Sequence, residues 1–353
     1  MDVDCRGSPF ETSGERRCLA VRLSNDIEIK VSIMTPNLSP DTKATLLLCS
    51  SWGKKDNTLK PLTSTEYNKL TDWLRQKELR PSNLFDSDAH LKNQSFPFES
   101  ARFSSLLNRG GIMAVELERW LNTGGWVISC ADEEYPQRLK QALGKNAPPL
   151  FFGIGTRYFL PTGGMALVGS RDISEEGQEA TQRISMRCAE KQITVISGGA
   201  RGVDQTAMQS ALEAGGKVIG ILANDLARTS VTRICRDYIE GEKLVLLSPF
   251  HPNARFQVWN AMARNKVIYG LSDAAVIISS SDGKGGTWEG AMENLRKWHI
   301  PLFVRKDSSL PGNLHLIDKG AFPLPEEVYD NPELLLSRSL NRSSSTKGKT
   351  LFD

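Results

Sequence analysis

Residues 193–204 of the chain are ITVISGGARGVD, a β-branched apolar run followed directly by a glycine-rich turn. Such a run is typical of a buried strand, and the turn leads into a stretch with helical spacing. Similar apolar runs recur through the second half of the chain: MALVGS (165–170), KVIGIL (217–222), KLVLLS (243–248), AAVIIS (274–279) and PLFVR (301–305). Amphipathic stretches separate them, and strands that alternate with helices form right-handed crossovers. The sequence therefore predicts a doubly wound α/β domain with a mostly parallel, Rossmann-like sheet over 126–330.

The residues before this domain lack the alternation and predict helices instead. Four helical stretches follow one another: LSPDTKATLLLCSSW (38–52), PLTSTEYNKLTDWLRQKE (61–78), ESARFSSLLNRGG (99–111) and MAVELERWLNTGG (113–125). In the second stretch, apolar residues fall on one face at spacings of three and four, and paired glycines end the fourth. We therefore expect a small all-helical domain over 38–125. The role of the extension 1–37 is undefined, and the serine-rich, basic segment 331–353 predicts a disordered tail.

The composition excludes several classes of protein. The 353 residues are 39% hydrophobic and 24% charged, with a net charge of +3, which is ordinary for a globular chain and permits a nucleic-acid partner without requiring one. The chain contains neither an apolar run of membrane length nor a signal-peptide pattern, so we expect a cytoplasmic protein without a membrane partner. The six cysteines form no C-x-x-C pair and there are only four histidines. We therefore expect no metal and no cofactor.

Glycine-rich turns directly follow three of the predicted strands. In an open parallel sheet the ligand lies beyond the carboxyl ends of the strands, and glycine turns before helices let backbone N–H groups approach a phosphate. None of the turns matches G-x-G-x-x-G or G-x-x-x-x-G-K-[ST], so neither a dinucleotide enzyme nor a P-loop ATPase is indicated. The candidate phosphate-binding residues are Gly169, Ser170 and Arg171; Ser197, Gly198, Gly199, Arg201 and Gly202; and Lys284, Gly285, Gly286 and Thr287.

Other polar residues near these turns allow two interpretations each. Arg171, Arg201, Arg264, Lys266 and Lys284 are suited to phosphate oxygens, but would equally serve as a solvated rim. Asp204 suits a helix cap as well as the site, and Glu289 suits a capping box as well as an acid, a base or a ribose ligand. Trp259 and Trp288 could stack a base or pack in the core. No spacing of Ser, His, Asp or Cys indicates a nucleophilic enzyme.

The chain from about residue 38 to residue 325 resembles the DprA/Smf family of DNA-processing proteins. The resemblance is carried by D-x-x-Y-P-x-x-L at 132–139 with PPLFFG at 148–153, VGSR at 168–171, SGGARGVD at 197–204, ALEAGG at 211–216, and RNKVI at 264–268 before GLSDA at 270–274. It implies a basic pocket for single-stranded DNA, a homodimer, transfer of the strand to the recombinase RecA, and a SAM-like or helix-hairpin-helix-like amino-terminal module. The DNA contacts it implies are Gly169, Ser170, Arg171, Ser197, Gly198, Gly199, Arg201, Gly202, Arg264, Asn265 and Lys266.

The chain also departs from that family pattern. No winged-helix sequence follows the α/β domain, and Gly285-Gly286-Thr287-Trp288-Glu289 replaces the usual glycine-serine before the last helix. This segment resembles the motif of the related LOG nucleotide hydrolases, which implies a phosphoribohydrolase using Arg264 and Glu289 as an alternative. The wider SLOG superfamily includes nucleotide sensors of phage-defence and toxin systems, so a toxin partner is a further alternative to RecA.

Overall fold

The computed structural model describes residues 38–53, 59–85 and 96–336. The predictions for residues 1–37 and for residues 337–353 of the tail lie outside the described residues. The chain divides into two compact units, with the division between Arg119 and Trp120. The expected boundary was residue 125. Because the Trp120 indole donates a hydrogen bond of 3.1 Å to the carbonyl of Trp126, Trp120 belongs with the sheet.

The four predicted helices form in the amino-terminal region, and the last of them crosses the division between the two units. They are α1 (Pro40–Cys49), α2 (Ser64–Gln76), α3 (Ser100–Leu107) and α4 (Gly110–Asn122), with a short 3₁₀ turn at Pro81–Phe85. The Ser39 hydroxyl caps α1 by accepting from the backbone N–H of Thr42. A capping box formed by Thr63 and Glu66 starts α2, whose predicted apolar face is buried. The helical amino-terminal region is therefore confirmed.

The second unit is built on a nine-stranded sheet in the order β1-β2-β6-β5-β4-β3-β7-β8-β9. Strands β1 and β2 are antiparallel to their neighbours and every other pairing is parallel, which confirms the predicted mostly parallel α/β sheet. The parallel strands β3 to β8 are buried along their whole length, as expected where helices cover both faces. The strands are β1 (Gly125–Ser129), β2 (Leu150–Ile154), β3 (Met165–Val168), β4 (Val195–Ser197), β5 (Val218–Ile221), β6 (Leu244–Ser248), β7 (Ala274–Ile277), β8 (Leu302–Val304) and β9 (Phe322–Pro323).

Eight helices connect these strands in the described part of the second unit: α5 (Gln137–Leu143), α6 (Glu175–Glu190), α7 (Val203–Glu213), α8 (Leu226–Ser230), α9 (Arg233–Glu240), α10 (Val258–Leu271), α11 (Gly286–Glu293) and α12 (Pro311–Asp318). Within the described residues, no helix is long and apolar enough to cross a membrane.

The sheet order places a topological switch point between β3 and β7. From β3 the chain winds through β4, β5 and β6 to one side, and it then returns to place β7 on the other side of β3. The adjacent connections leave the sheet in opposite directions there, which opens a crevice at the carboxyl ends of β3 and β7. Two of the three predicted glycine-rich turns follow these two strands, and the third follows β4, next to β3.

Several elements differ from the sequence prediction. The apolar run LFFGI forms β2, and the short helices α8 and α9 occupy a stretch in which periodicity predicted none. The amphipathic stretch after β7 forms α11 only as far as Glu293 and continues as a π-helical turn. At the start of this turn the buried Asn294 side chain donates to the carbonyl of Ile300 and accepts from the same residue's N–H, which fixes the chain that leads to β8.

The predicted tail begins later than residue 331. Leu335 is fully buried, and the Glu333 carboxylate lies 2.8 Å from the Lys191 ammonium at the end of α6. Residues 331–336 therefore pack on the second unit, because an apolar side chain and a charge pair fix them there.

Candidate nucleic-acid interface

A cleft of about 550 Å³ lies at the switch point. One wall comes from the turn after β3, a second from the loop that joins β7 to α11, and a third from one face of α10. The predicted residues that line it are Gly169, Ser170, Arg171, Asp204, Arg264, Asn265, Lys284, Gly285, Gly286, Thr287 and Glu289. The structure therefore brings together residues that are more than 100 positions apart in the sequence.

Hydrogen bonds fix the turn after β3 against its neighbours. The backbone N–H of Ser170 donates to the carbonyl of Ser279 at 3.0 Å. The carbonyl of Gly169 accepts from the Thr287 hydroxyl at 2.9 Å, which ties the turn to the first turn of α11. These hydrogen bonds hold the turn after β3 rigidly against β7 and the start of α11.

The turn after β4 lies behind the cleft. Ala200 lines the cleft and Asp204 is at the start of α7, but Ser197, Gly198, Gly199, Arg201 and Gly202 are not among the lining residues. Gly202 has a φ of 86°, and a Cβ there would lie 2.3 Å from the carbonyl oxygen of Ser170. Only glycine therefore allows the turns after β3 and β4 to approach so closely.

Arg264 is buried at the base of the cleft, beside Asp204. Its guanidinium lies 3.7 Å from the Asp204 carboxylate, and a Cβ on Gly198 would lie 1.6 Å from its Nη1 atom. The Asp204 carboxylate also accepts from the backbone N–H groups of Gly169, Gly198 and Ala200. Burial raises the pKa of Asp204, while Arg264 and these N–H groups act in the opposite direction. This pair holds two of the glycine-rich turns together beneath the cleft.

The third turn, after β7, forms the opposite lip of the cleft. The Asn265 amide donates to the carbonyl of Gly286 at 2.9 Å and so joins α10 to the start of α11. The first backbone N–H groups of α11 face no intrahelical partner, and the helix dipole adds positive potential there. Lys284 is exposed on this lip.

The charges at the cleft divide into paired and unpaired groups. Asp172 pairs with Arg201 at 2.5 Å, and Asp204 pairs with Arg264. In the described part of the chain, three charged lining residues have no ion pair: Arg171, Lys284 and Glu289. Arg171 lies 5.3 Å over the ring of Phe256, where its guanidinium remains accessible. The cleft thus presents two unpaired cations and one unpaired carboxylate.

Three further predicted residues lie away from the cleft. Lys266 is not among its lining residues, and its ammonium is half-buried near Glu293, where burial lowers its pKa. Its neighbours Arg264 and Asn265 do reach the cleft. Lys266 points to another side of α10, because each residue of a helix is rotated by about 100° from the one before it. Trp288 packs against the core, and Trp259 is 67% exposed but outside the lining.

Sequence reasoning missed the apolar wall of the cleft. Five side chains from α10 and the loop before it form this wall: Phe256, Val258, Ala261, Met262 and Ile268. Phe256 and Met262 are 44% and 43% exposed. Positions 258, 261, 265 and 268 follow helical spacing, so one face of α10 was recognisable as a candidate. Within the described residues, no group of side chains is arranged to hold a metal ion.

A mostly parallel sheet with glycine-rich turns around a cleft at its switch point defines a Rossmann-like α/β protein. The family model for DNA recombination-mediator protein A matches residues 126–331, and the chain belongs to that family. DNA processing protein DprA of Streptococcus pneumoniae is 31% identical over 199 residues, covering 55% of this chain and 69% of that protein. DprA of Bacillus subtilis is 26% identical over 226 residues, covering 62% and 74%.

The fold agrees with this membership. The X-ray structure of S. pneumoniae DprA superposes with a TM-score of 0.60 at 22% identity and covers 77% of this chain and 93% of that one. The match includes residues outside the second unit, because that unit, residues 120–353, is less than 77% of the chain.

Proposed function

We propose that this protein binds single-stranded DNA in the cleft at the switch point of its sheet. The observation that carries this function is the meeting of the turns after β3 and β7 with two unpaired cations, Arg171 and Lys284. The backbone N–H groups of the first turn of α11 are suited to phosphate oxygens. Membership in a family of DNA recombination mediators supports the same ligand.

In this mechanism the strand is held through its backbone. Arg171 and Lys284 neutralise phosphates and release counterions, so affinity falls as salt rises. Most of the turn after β4 lies behind the turn after β3 and supports it, and Arg264 and Asp204 position both. Recognition of the phosphates is independent of base sequence.

The partners predicted from the resemblance belong to the same proposal. We propose a cytoplasmic homodimer that passes its strand to a recombinase such as RecA, with a toxin of a phage-defence system as the competing partner. Analytical ultracentrifugation and co-purification with each candidate test these assignments. A monomer at micromolar concentration would contradict the dimer.

A phosphoribohydrolase is the second candidate, because the free carboxylate of Glu289 lies in the cleft. That reaction would need Arg264 at the ligand as well. The Arg264 side chain is only 7% exposed and is engaged with Asp204, which supports binding over hydrolysis. Release of free base from nucleoside monophosphates, lost in Glu289→Ala, would favour the hydrolase instead.

Fluorescence anisotropy of a labelled oligo-dT strand at several salt concentrations tests the proposed function. We expect binding whose affinity declines steeply with salt, by about 0.7 in logarithmic slope for each phosphate contact. A nucleoside monophosphate serves as competitor. If only the mononucleotide binds, the cleft is a nucleotide site and the proposal is wrong.

A further inference from the structure

The Glu289 carboxylate lines the cleft, where a negative charge is unfavourable for the proposed DNA strand. The other carboxylates of the lining are neutralised, Asp172 by Arg201 and Asp204 by Arg264. Among the described residues, Glu289 has neither an ion pair nor a side-chain hydrogen bond, and its side chain is exposed in the cleft. A free carboxylate repels phosphate, so a different part of the ligand must face it.

The first turn of α11 offers a simpler explanation for this residue. A carboxylate near a helix N-terminus interacts favourably with the helix dipole, wherever the helix lies. Glu175 occupies the corresponding first turn of α6 and does not line the cleft. Glu175 therefore separates a dipole effect from an effect on the ligand.

The groups of a nucleotide that suit an unpaired carboxylate are N–H donors on the base. Guanine carries two adjacent donors on one edge, the ring N1–H and the 2-amino group, which match the two oxygens of a carboxylate. Adenine and cytosine present one amino group beside a ring nitrogen acceptor, and thymine presents one N–H between two carbonyls. Because carboxylate oxygens only accept, guanine is the best match and thymine the poorest.

The apolar wall of the cleft that Glu289 also lines suits the face of a base. Phe256 and Met262 line the cleft and are 44% and 43% exposed, a large apolar surface to leave in water. Aromatic rings and thioethers stack favourably on planar bases. The cations Arg171 and Lys284 and the backbone N–H groups provide for the phosphate of the same nucleotide. The cleft thus contains cations that suit a phosphate, apolar side chains that suit the face of a base, and a carboxylate that suits the edge of a base.

We infer that the cleft selects a guanine base from the bound strand, with the Glu289 carboxylate accepting from its Watson–Crick edge while Phe256 and Met262 contact its face. This inference rests on the proposed function, since the strand must first enter the cleft. It adds a base preference to phosphate binding that is otherwise sequence-independent.

The test compares four labelled strands of dT that differ at one central base: thymine, guanine, hypoxanthine or adenine. Hypoxanthine keeps the N1–H of guanine and lacks the 2-amino group. We expect the guanine strand to bind about tenfold more tightly than the all-thymine strand, with hypoxanthine between them. Glu289→Gln should reduce the ratio of guanine to thymine affinity to about one, and Glu175→Gln should leave this ratio as in the native protein.

Failure of guanine selection and failure of strand binding give different results. If all strands bind with a steep salt dependence but without a guanine preference, the inference is wrong and the proposed function stands. A preference that survives Glu289→Gln, or that Glu175→Gln also abolishes, likewise overturns the assignment to Glu289. If no strand binds, both the inference and the proposed function fail.

Discussion

The Arg264 guanidinium lies 3.7 Å from the Asp204 carboxylate, and each side chain is only 7% exposed. Arg264 comes from α10 and Asp204 from the start of α7, so the pair joins two helices below the cleft. Backbone N–H groups from the turns after β3 and β4 complete the environment of the carboxylate. The pair therefore supports the site structurally, and Arg264, predicted from the sequence as a DNA contact, also lines the cleft.

Arg264→Ala should lower the free energy of unfolding by about 3 kcal/mol, because it leaves a buried carboxylate without its countercharge. Urea unfolding measures the change. Arg236→Ala is the matched control: Arg236 is exposed on α9 in a 3.9 Å pair with Glu240, and its loss should cost less than about 0.5 kcal/mol. Similar losses in the two variants would show that the buried pair has no special role.

Gly198→Ala should disrupt the turn after β4. A Cβ at this position would lie 1.6 Å from Arg264 Nη1, so the guanidinium must move away from Asp204. We expect destabilisation of about 2 kcal/mol or more together with weaker strand binding. Gly111→Ala in α4, where a Cβ would meet no atom within 4 Å, should be neutral or slightly stabilising. A Gly198→Ala protein of native stability would contradict the close approach.

Arg171→Ala and Lys284→Ala should each reduce the salt dependence of strand binding, because each removes one unpaired cation of the cleft. The expected decrease in logarithmic slope is about 0.7 per lost phosphate contact. Lys319→Ala, at the exposed end of α12, is the control and should leave the slope as in the native protein.

Lys266→Ala tests whether the bound strand extends beyond the cleft. The family resemblance predicts a phosphate contact at Lys266, whereas the structure places this residue outside the cleft. A slope reduced by about 0.7 means that the strand continues past the cleft along α10. A native slope means that the cleft contains the whole phosphate interface.

The first unit should lose stability in acid through Glu66. Its hydrogen bond to Arg102 lowers the pKa of Glu66 from 4.5 to about 2, an effect assisted by the N–H and hydroxyl of Thr63. Because the folded pKa is depressed, the stabilisation is present above about pH 4.5 and is lost as pH falls toward 2. Glu66→Gln keeps the capping box but not the charge, and should cost about 1 kcal/mol at pH 7 after allowance for solvent screening.

Urea unfolding followed by helical circular dichroism at pH 7 and pH 3 measures this effect. We expect the difference between Glu66→Gln and the native protein to be smaller at pH 3. A difference that is independent of pH would show that the ion pair with Arg102 contributes nothing.

The local pattern of the sequence determined the kinds of element and their order. Parallel strands covered on both faces must be apolar throughout, so runs such as residues 193–197 and 274–279 were recognisable without a structure. The positions of the glycine-rich turns followed, because each comes directly after its strand. The interval before β6 was less predictable, since α8 and α9 are short helices of five and eight residues and no residue of α9 is buried.

Only the tertiary structure decided which charges remain free. Arg171, Arg264, Lys266 and Lys284 are equivalent candidates in the sequence, because all are basic and near a predicted turn. Packing of α10 against the turn after β4 buries Arg264 on Asp204, and helical rotation carries Lys266 to another face. Arg171 and Lys284 stay unpaired at the cleft, as does Glu289. Pairing depends on residues far apart in the chain, so the local sequence does not specify which cation has a partner.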